Sequence, residues 1–426
     1  MSDAKTDSDD SHMILDHVFR HHYGRLVSLL TRLFGVQHLE AVEDAVQLAL
    51  QKACQVWQAS GQPEDPQAWL YRVARNALID HLRREKRQAR FVDLQTSTIP
   101  TEQEWGTPEE FGDQTLRLLY LCCHPQIPLP SQVAFALKSV CGFSTPEIAR
   151  ALLIQPENVQ KRIERAREKL SQFQLELESL RHPWMRQRTS SVLTVIYLIF
   201  NEGYLTTCND HAIQQGLCQE GLRLARLLVE NPLGQTGDTF ALLALMCFHA
   251  ARLPARTSEQ GEMVLLENQD RRQWDSRLIA EGMHWMGHMA IDQSAGRYHL
   301  EAAIAWEHTR ARNLQSTNWP RLVQIYRSLC RLVAGPAQIL NLAIAESRAF
   351  GPQAGLSRLQ QFPRERLPRP YPLWDAVLGE LLAQLGRNEE ARQHLQQAEA
   401  ETSNPAEQRL LQEKIRNLPL NNRSGT

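Results

Sequence analysis

Apolar residues return three and four positions apart along nearly the whole chain, and alternating stretches are scarce, so the pattern predicts helices throughout and an all-α fold. A first unit is expected over residues 14–90, with three or more helices; Phe19, Tyr23, Leu26, Leu29, Leu30 and Leu33 make the stripe of the first. Its last helix is unusual. In DPQAWLYRVARNALIDHLRREKR, Asp65–Arg87, the residues Leu70, Val73, Ala74, Ala77, Leu78 and Leu82 fall on one side at about 100° per residue, as a core-facing surface requires. Arg72, Arg75, Asn76, Arg83, Lys86 and Arg87 gather opposite them within an arc of about 120°, with Trp69 at its edge. A solvated helix face normally mixes acids and bases into i,i+4 pairs, but Asp80 and Glu85 lie off this arc. Such clustering points to nucleic-acid contact.

Residues 91–113 are acidic, carry Pro100 and Pro108 and lack helical period, which predicts a linker. A second unit, 114–172, holds a more specific pattern. A helix from Ser131 to Cys141 ends near Gly142, and Ser144 with Glu147 forms an S-x-x-E capping box that opens a short helix through Leu152. Pro156 then suits the first turn of a helix to Leu170 with the core stripe Val159, Ile163, Ala166 and Leu170. Helix, tight turn, helix is the geometry that sets a second helix into a DNA major groove. Asn158, Lys161, Arg162, Arg165 and Lys169 line one flank of that helix, while Glu157, Glu164 and Glu168 take a neighbouring arc. Capped helical hairpins occur in any all-α protein, yet this polarised charge favours DNA readout, with arginine able to choose guanine and lysine adding affinity at phosphate.

From residue 184 to 426 the basic faces give way to amphipathic segments. In LGELLAQLGRNEEARQHLQQAEAE, Leu378, Gly379, Leu382, Ala391, Leu395 and Ala398 match the small and large spacing of tetratricopeptide helix pairs. Ile339–Phe362, with Gly351 at its turn, and Gly296–His308 read as more degenerate pairs. One such unit cannot bury its apolar face alone, so several are expected to stack.

Composition changes the picture in three respects. The length of 426 residues implies several domains, and a net charge of −1 means that nucleic-acid affinity must come from local patches. Residues 1–13, acidic and polar, read as a disordered leader without the apolar core of a secretory signal. The run Val192–Phe200 is too short to span a bilayer, and eight irregularly spaced cysteines suggest reduced thiols, so a cytoplasmic protein without membrane contact is expected. Cys122, Cys123 and His124 read as buried side chains, since no second ligand pair follows at finger-like spacing. His284 and His288 could share a helix face, but Trp285 stands where a zinc-protease motif needs glutamate. No nucleophile with its base, phosphate loop or convincing carboxylate pair is present, so neither a catalytic site nor a cofactor or metal is expected.

Two basic helical units in this order, joined by an acidic linker, resemble regions 2 and 4 of the extracytoplasmic-function group of bacterial sigma-70 factors. WLYRVARNALIDHLRREKR is similar to the region 2.3 to 2.4 helix, and GFSTPEIARALLIQPENVQKRIERAREKL to the region 4 helix-turn-helix. Downstream, VLTVIYLIFNEGY, LIAEGMHW, LEAAIAWEH and LGRNEEA resemble the subgroup with a long tetratricopeptide-like extension. The resemblance implies partners: core RNA polymerase, through its β′ clamp and β flap, and promoter DNA. Glu43, Asp44 and Gln47 match the region 2.2 motif that holds the β′ coiled coil, although Leu48 stands where the family has glutamate and Leu50 where it often has phenylalanine. It also implies that the loop Ser60–Pro66 and the α-helix after it hold the minus-ten element, and that Pro156–Leu170 reads the minus-thirty-five element. The extension would regulate, by intramolecular contact or through a regulatory protein. Another reading of the residues is a conventional helix-turn-helix regulator that senses a ligand through its helical array; a third makes the C-terminal half a metal enzyme through His284 and His288.

Overall fold

A computed structural model describes residues 23–88, 108–171, 183–205, 211–256, 264–289, 295–368, 370–402 and 405–419. Helices dominate, and no strand occurs among the described residues. The chain divides into two compact units, residues 1–243 and 244–426. That division falls later in the chain than the change of pattern near residue 184.

In the first unit, α1 (23–34) leads to α2 (Leu39–Ser60) and α3 (Pro66–Gln88), which pack on each other, with Leu70, Ala74 and Leu78 fully buried and Val73, Ala77 and Leu82 half-buried, as the stripe on α3 requires. Helix α1 departs from its expected stripe. Tyr23, Leu26 and Leu30 are buried and Leu29 and Leu33 only half-buried, whereas Ser28 and Thr31 on another side are covered; Phe19 lies outside the described residues. The cover comes from the next group of helices: α4 (Pro108–Cys122), α5 (Leu129–Ser139), α6 (Thr145–Ala151) and α7 (Pro156–Ser171). Helix α4 opens inside the segment whose composition predicts linker.

The helix-turn-helix follows the expectation closely. Ser144 and Glu147 form the reciprocal capping box at the start of α6, and the buried residues of α7 are Val159, Ile163, Ala166 and Leu170. The turn between them puts exposed Leu153 at φ 51°, a left-handed conformation that costs an L-residue on the order of 1–2 kcal/mol. Cys122, Cys123 and Cys141 are fully buried beneath, and burial raises the Cys122 and Cys123 thiols, which keeps them unreactive. Helices α8 (Pro183–Leu205) and α9 (His211–Glu230) join this unit because they pack on α4, α5 and α6, with the Tyr120 hydroxyl 3.0 Å from Thr189 Oγ1.

The first unit also takes in the start of α10 (Gly237–Ala250), which runs on into the second. There follow α11 (Ser276–His288), α12 (Arg297–Arg310), α13 (Trp319–Leu332), α14 (Pro336–Phe350), α15 (Pro352–Gln360), α16 (Pro372–Gln384), α17 (Asn388–Glu401) and α18 (Pro405–Asn417). From α12 onward each helix packs on the next, the nearest-neighbour arrangement of repeat proteins. The tetratricopeptide-like spacing is real in three dimensions. Leu378, Gly379, Leu382, Ala391, Leu395 and Ala398 are all buried between α16 and α17, and a Cβ on Gly379 would stand 2.7 Å from Leu395 Cγ. The α14–α15 turn is made by Gly351 at φ 96°. Buried Glu346 ties α14 to its neighbours, accepting from Arg327 of α13 at 2.8 Å and from Arg358 of α15 at 2.9 Å.

Acid sensitivity follows from two imidazoles of this unit. Burial, then the nearby Arg252, holds His249 down to about 3, and the same causes in the same order hold His308 down to about 4. Both rings are neutral in the folded state, while an unfolded histidine takes up its proton near pH 6.5. Their contribution is therefore complete above about pH 6.5 and drains away as the pH falls toward 4, with a slope approaching ~1.4 kcal/mol per pH unit for each ring. Amide-exchange protection of α10 and α12, corrected for intrinsic rates, is expected to fall across that window; flat protection from pH 7 to 4 would contradict it.

Candidate nucleic-acid interfaces

Between α2 and α3 the chain turns in a short loop with fixed ends. Gly61 closes α2 at φ 79°, its N–H donating to the Trp57 carbonyl at 3.0 Å, and Asp65 caps α3 by accepting from the Ala68 N–H at 2.9 Å. Trp57 and Trp69 meet edge to face beside this loop, with centroids 5.6 Å apart. Trp69 is half-buried, so its ring is braced from one side and open on another. Along α3 beyond it, Arg72, Asn76 and Arg83 are exposed and Arg75 is half-buried. Lys86 and Arg87 continue the helix, but their side chains lie outside the described residues. Arg72, Asn76 and Arg83 of the expected arc thus face solvent, away from the buried Leu70, Ala74 and Leu78.

On α7, Asn158, Lys161 and Arg165 are exposed, and Arg162 and Lys169 are half-buried. Glu164, on the neighbouring arc, is engaged by Gln160 at 3.1 Å. A flat cationic flank on a helix whose opposite stripe is anchored can lie along a phosphate backbone and present arginine to base edges.

The region 2.2 residues are split. Asp44 and Gln47 are exposed on α2, but Glu43 is 1% exposed. Its Oε1 accepts from Ser139 Oγ of α5 at 2.5 Å and its Oε2 from Arg167 Nη2 of α7 at 2.6 Å. Arg167 also reaches Glu40 at 3.0 Å. Burial pushes the Glu43 carboxyl above its ordinary range, against the opposing pull of Arg167 and Ser139.

Pattern reading passed over Arg167, Ser139 and Trp57. Arg167 sits beside the core stripe of α7 and outside its cationic flank, a position that signals only a covered helix edge; its partners are more than a hundred positions away in the chain.

His284 and His288 lie on α11 with centroids 4.7 Å apart, His288 Nδ1 being 2.9 Å from the His284 carbonyl. The structure groups no three His, Cys, Asp or Glu for a metal among the described residues. No described helix is long and apolar enough to cross a membrane.

Comparison with known proteins agrees with this layout. The sigma-70 region 2 family matches residues 18–88, the sigma-70 region 4 family residues 117–170, and a family of unknown function (DUF6596) residues 188–290. An uncharacterized protein of Rhizobium meliloti is 35% identical over 376 residues, 87% of this chain and 88% of that one. The ECF RNA polymerase sigma factor SigL of Mycobacterium tuberculosis is 34% identical over 123 residues, 28% of this chain and 67% of its own. The ECF RNA polymerase sigma factor SigE of Mycolicibacterium smegmatis is 27% identical over 162 residues, 37% of this chain and 60% of its own. No solved structure matches. With both sigma-70 regions in order and such relatives, the chain belongs to the extracytoplasmic-function group of sigma-70 factors and carries a helical C-terminal extension.

Proposed function

We propose that the protein is a dissociable initiation factor that carries core RNA polymerase to a particular set of promoters and has no catalytic site of its own. The observation that most supports this is the pair of separate cationic faces, on α3 and α7, each backed by a stripe buried in its own domain. A conventional duplex-binding regulator needs only the second.

The first face suits unpaired strand. Trp69, braced by Trp57 beside the Gly61–Asp65 loop, offers a stacking surface for an extruded base of the minus-ten element, and Arg72, Arg75, Asn76, Arg83, Lys86 and Arg87 follow its backbone. The second suits duplex. Asn158, Lys161, Arg162, Arg165 and Lys169 would read and hold the minus-thirty-five element in the major groove. Glu43, Asp44 and Gln47 would engage the β′ clamp, region 4 the β flap, and the C-terminal helices would regulate by contact with this chain or with a partner protein. The setting is the cytoplasm.

Energetics assigns the division of labour. Opening about ten base steps loses on the order of 14 kcal/mol of stacking at ~1.4 per step, whereas aromatic stacking returns only ~1–3 kcal/mol per base. Polymerase must supply the rest. A fluorescent base analogue in the minus-ten element is expected to brighten with the reconstituted holoenzyme and to stay dark with the isolated factor; opening by the factor alone would refute this.

Reconstitution with core polymerase and a promoter library tests the assignment as a whole, selected start sites being the expected result. Within it, Arg165→Ala should weaken the selected promoter by ~1–3 kcal/mol and relax choice at one position of the minus-thirty-five element. Lys161→Ala should weaken all sequences alike and reduce the salt slope by about one. Equal sequence profiles for wild type and Arg165→Ala would remove α7 from base readout.

A further inference from the structure

The region 2 surface that the preceding reading gives to polymerase is only partly open in this conformation, since Asp44 and Gln47 are exposed and Glu43 is not. Its buried member, Glu43, is bonded to Ser139 and Arg167, both from region 4. Around this carboxylate the two regions meet over a broader seam. The turn Val36–His38, which joins α1 to α2, lies against α7. Gly24 of α1 comes so close to the Val140 carbonyl at the end of α5 that a Cβ would overlap it, and Gly142, at φ 75°, leaves room for the Tyr23 ring. Ser28, Thr31 and Arg32 of α1 share a small cleft with Gln114 and Arg117 of α4.

The chemistry of the seam is that of a contact made to part. Ser28, Thr31, Glu43, Gln114 and Ser139 are all buried, a polar content that suits separable interdomain surfaces better than a permanent core. A buried ion pair adds little net stability but strongly penalises a wrong partner, because removing one member strands a charge. Glu43 can leave the seam at low cost only by entering water or exchanging Arg167 for another cation.

We propose that Arg167 and Ser139 form an autoinhibitory clasp, in which region 4 occupies the Glu43 face of region 2 and must swing away before core RNA polymerase can take that face. The proposal rests on the reading of Glu43, Asp44 and Gln47 as polymerase contacts. Asp44 and Gln47, exposed beside the seam, leave a partial foothold from which polymerase can displace the clasp. Apparent affinity is then the intrinsic affinity reduced by the fraction of molecules that are open.

The test uses the full chain carrying Arg167→Glu, a residue outside the proposed polymerase and DNA contacts, which sets an acid against Glu40 and Glu43. Two quantities are read: the radius of gyration by small-angle scattering and the dissociation constant for core polymerase. Arg167→Glu is expected to expand the molecule and tighten polymerase binding about tenfold, the equivalent of ~1.4 kcal/mol. Glu40→Lys combined with Arg167→Glu should return both values toward wild type. Ser139→Ala, a milder change, should fall between, and serves if the charge reversal perturbs folding as seen by circular dichroism. Unchanged size and affinity in Arg167→Glu and Ser139→Ala, with wild type binding polymerase normally, would overturn the clasp and leave the initiation-factor reading intact. Failure of wild type and variants alike to bind core polymerase would instead overturn that reading, and the masking with it.

Discussion

A single carboxylate, that of Glu43, organises the first half of this molecule. It projects from α2, in the region 2 domain, and finds both of its bonding partners, Ser139 and Arg167, in the region 4 domain. Buried charge demands compensation, because desolvating a carboxylate without a partner is far more costly than leaving it in water. Where region 4 rests on region 2 that demand is met, beside the close approach of Gly24 to the Val140 carbonyl and of Gly142 to the Tyr23 ring.

The same carboxylate ties architecture to the proposed activity. The helix proposed to recognise duplex DNA at its cationic flank uses its edge to hold a different domain: Arg165 and Lys161 face solvent while Arg167 faces α2. Residues two apart on a helix point about 200° from each other, which is how one element serves both without conflict. Helices α8 and α9 close region 4 from another side, with Tyr120 and Thr189 in contact, and leave the α7 flank open.

The C-terminal helices obey a different logic. Each packs on its neighbour in sequence, with small residues such as Gly379 and Ala391 letting α16 and α17 approach and Glu346 linking three successive helices. Nearest-neighbour stacks of this kind gain stability repeat by repeat. Half-buried, neutral His249 and His308 add a local dependence on pH.

Local chemistry was legible in the residues alone. Helical period, the Ser144–Glu147 capping box, the stripe of α7 and the tetratricopeptide-like pair all depend on spacings of three to seven positions, and each stands where those spacings put it. The extents of α4 and of the first compact unit were less so: acidic composition around Pro108 read as linker, and the packing of α8 and α9 on region 4 leaves no mark in the periodicity of either. What only the tertiary structure decided is which surfaces are spoken for. Ser28 and Thr31 are polar and lie outside the apolar stripe expected on α1, yet region 4 covers them, and no local spacing shows that the fold brings Glu43 and Arg167 within 2.6 Å. Periodicity records the face a helix turns inward within its own domain; it carries no record of a second, polar surface laid over the other side, because such a contact is made from the residue types that water would equally accept.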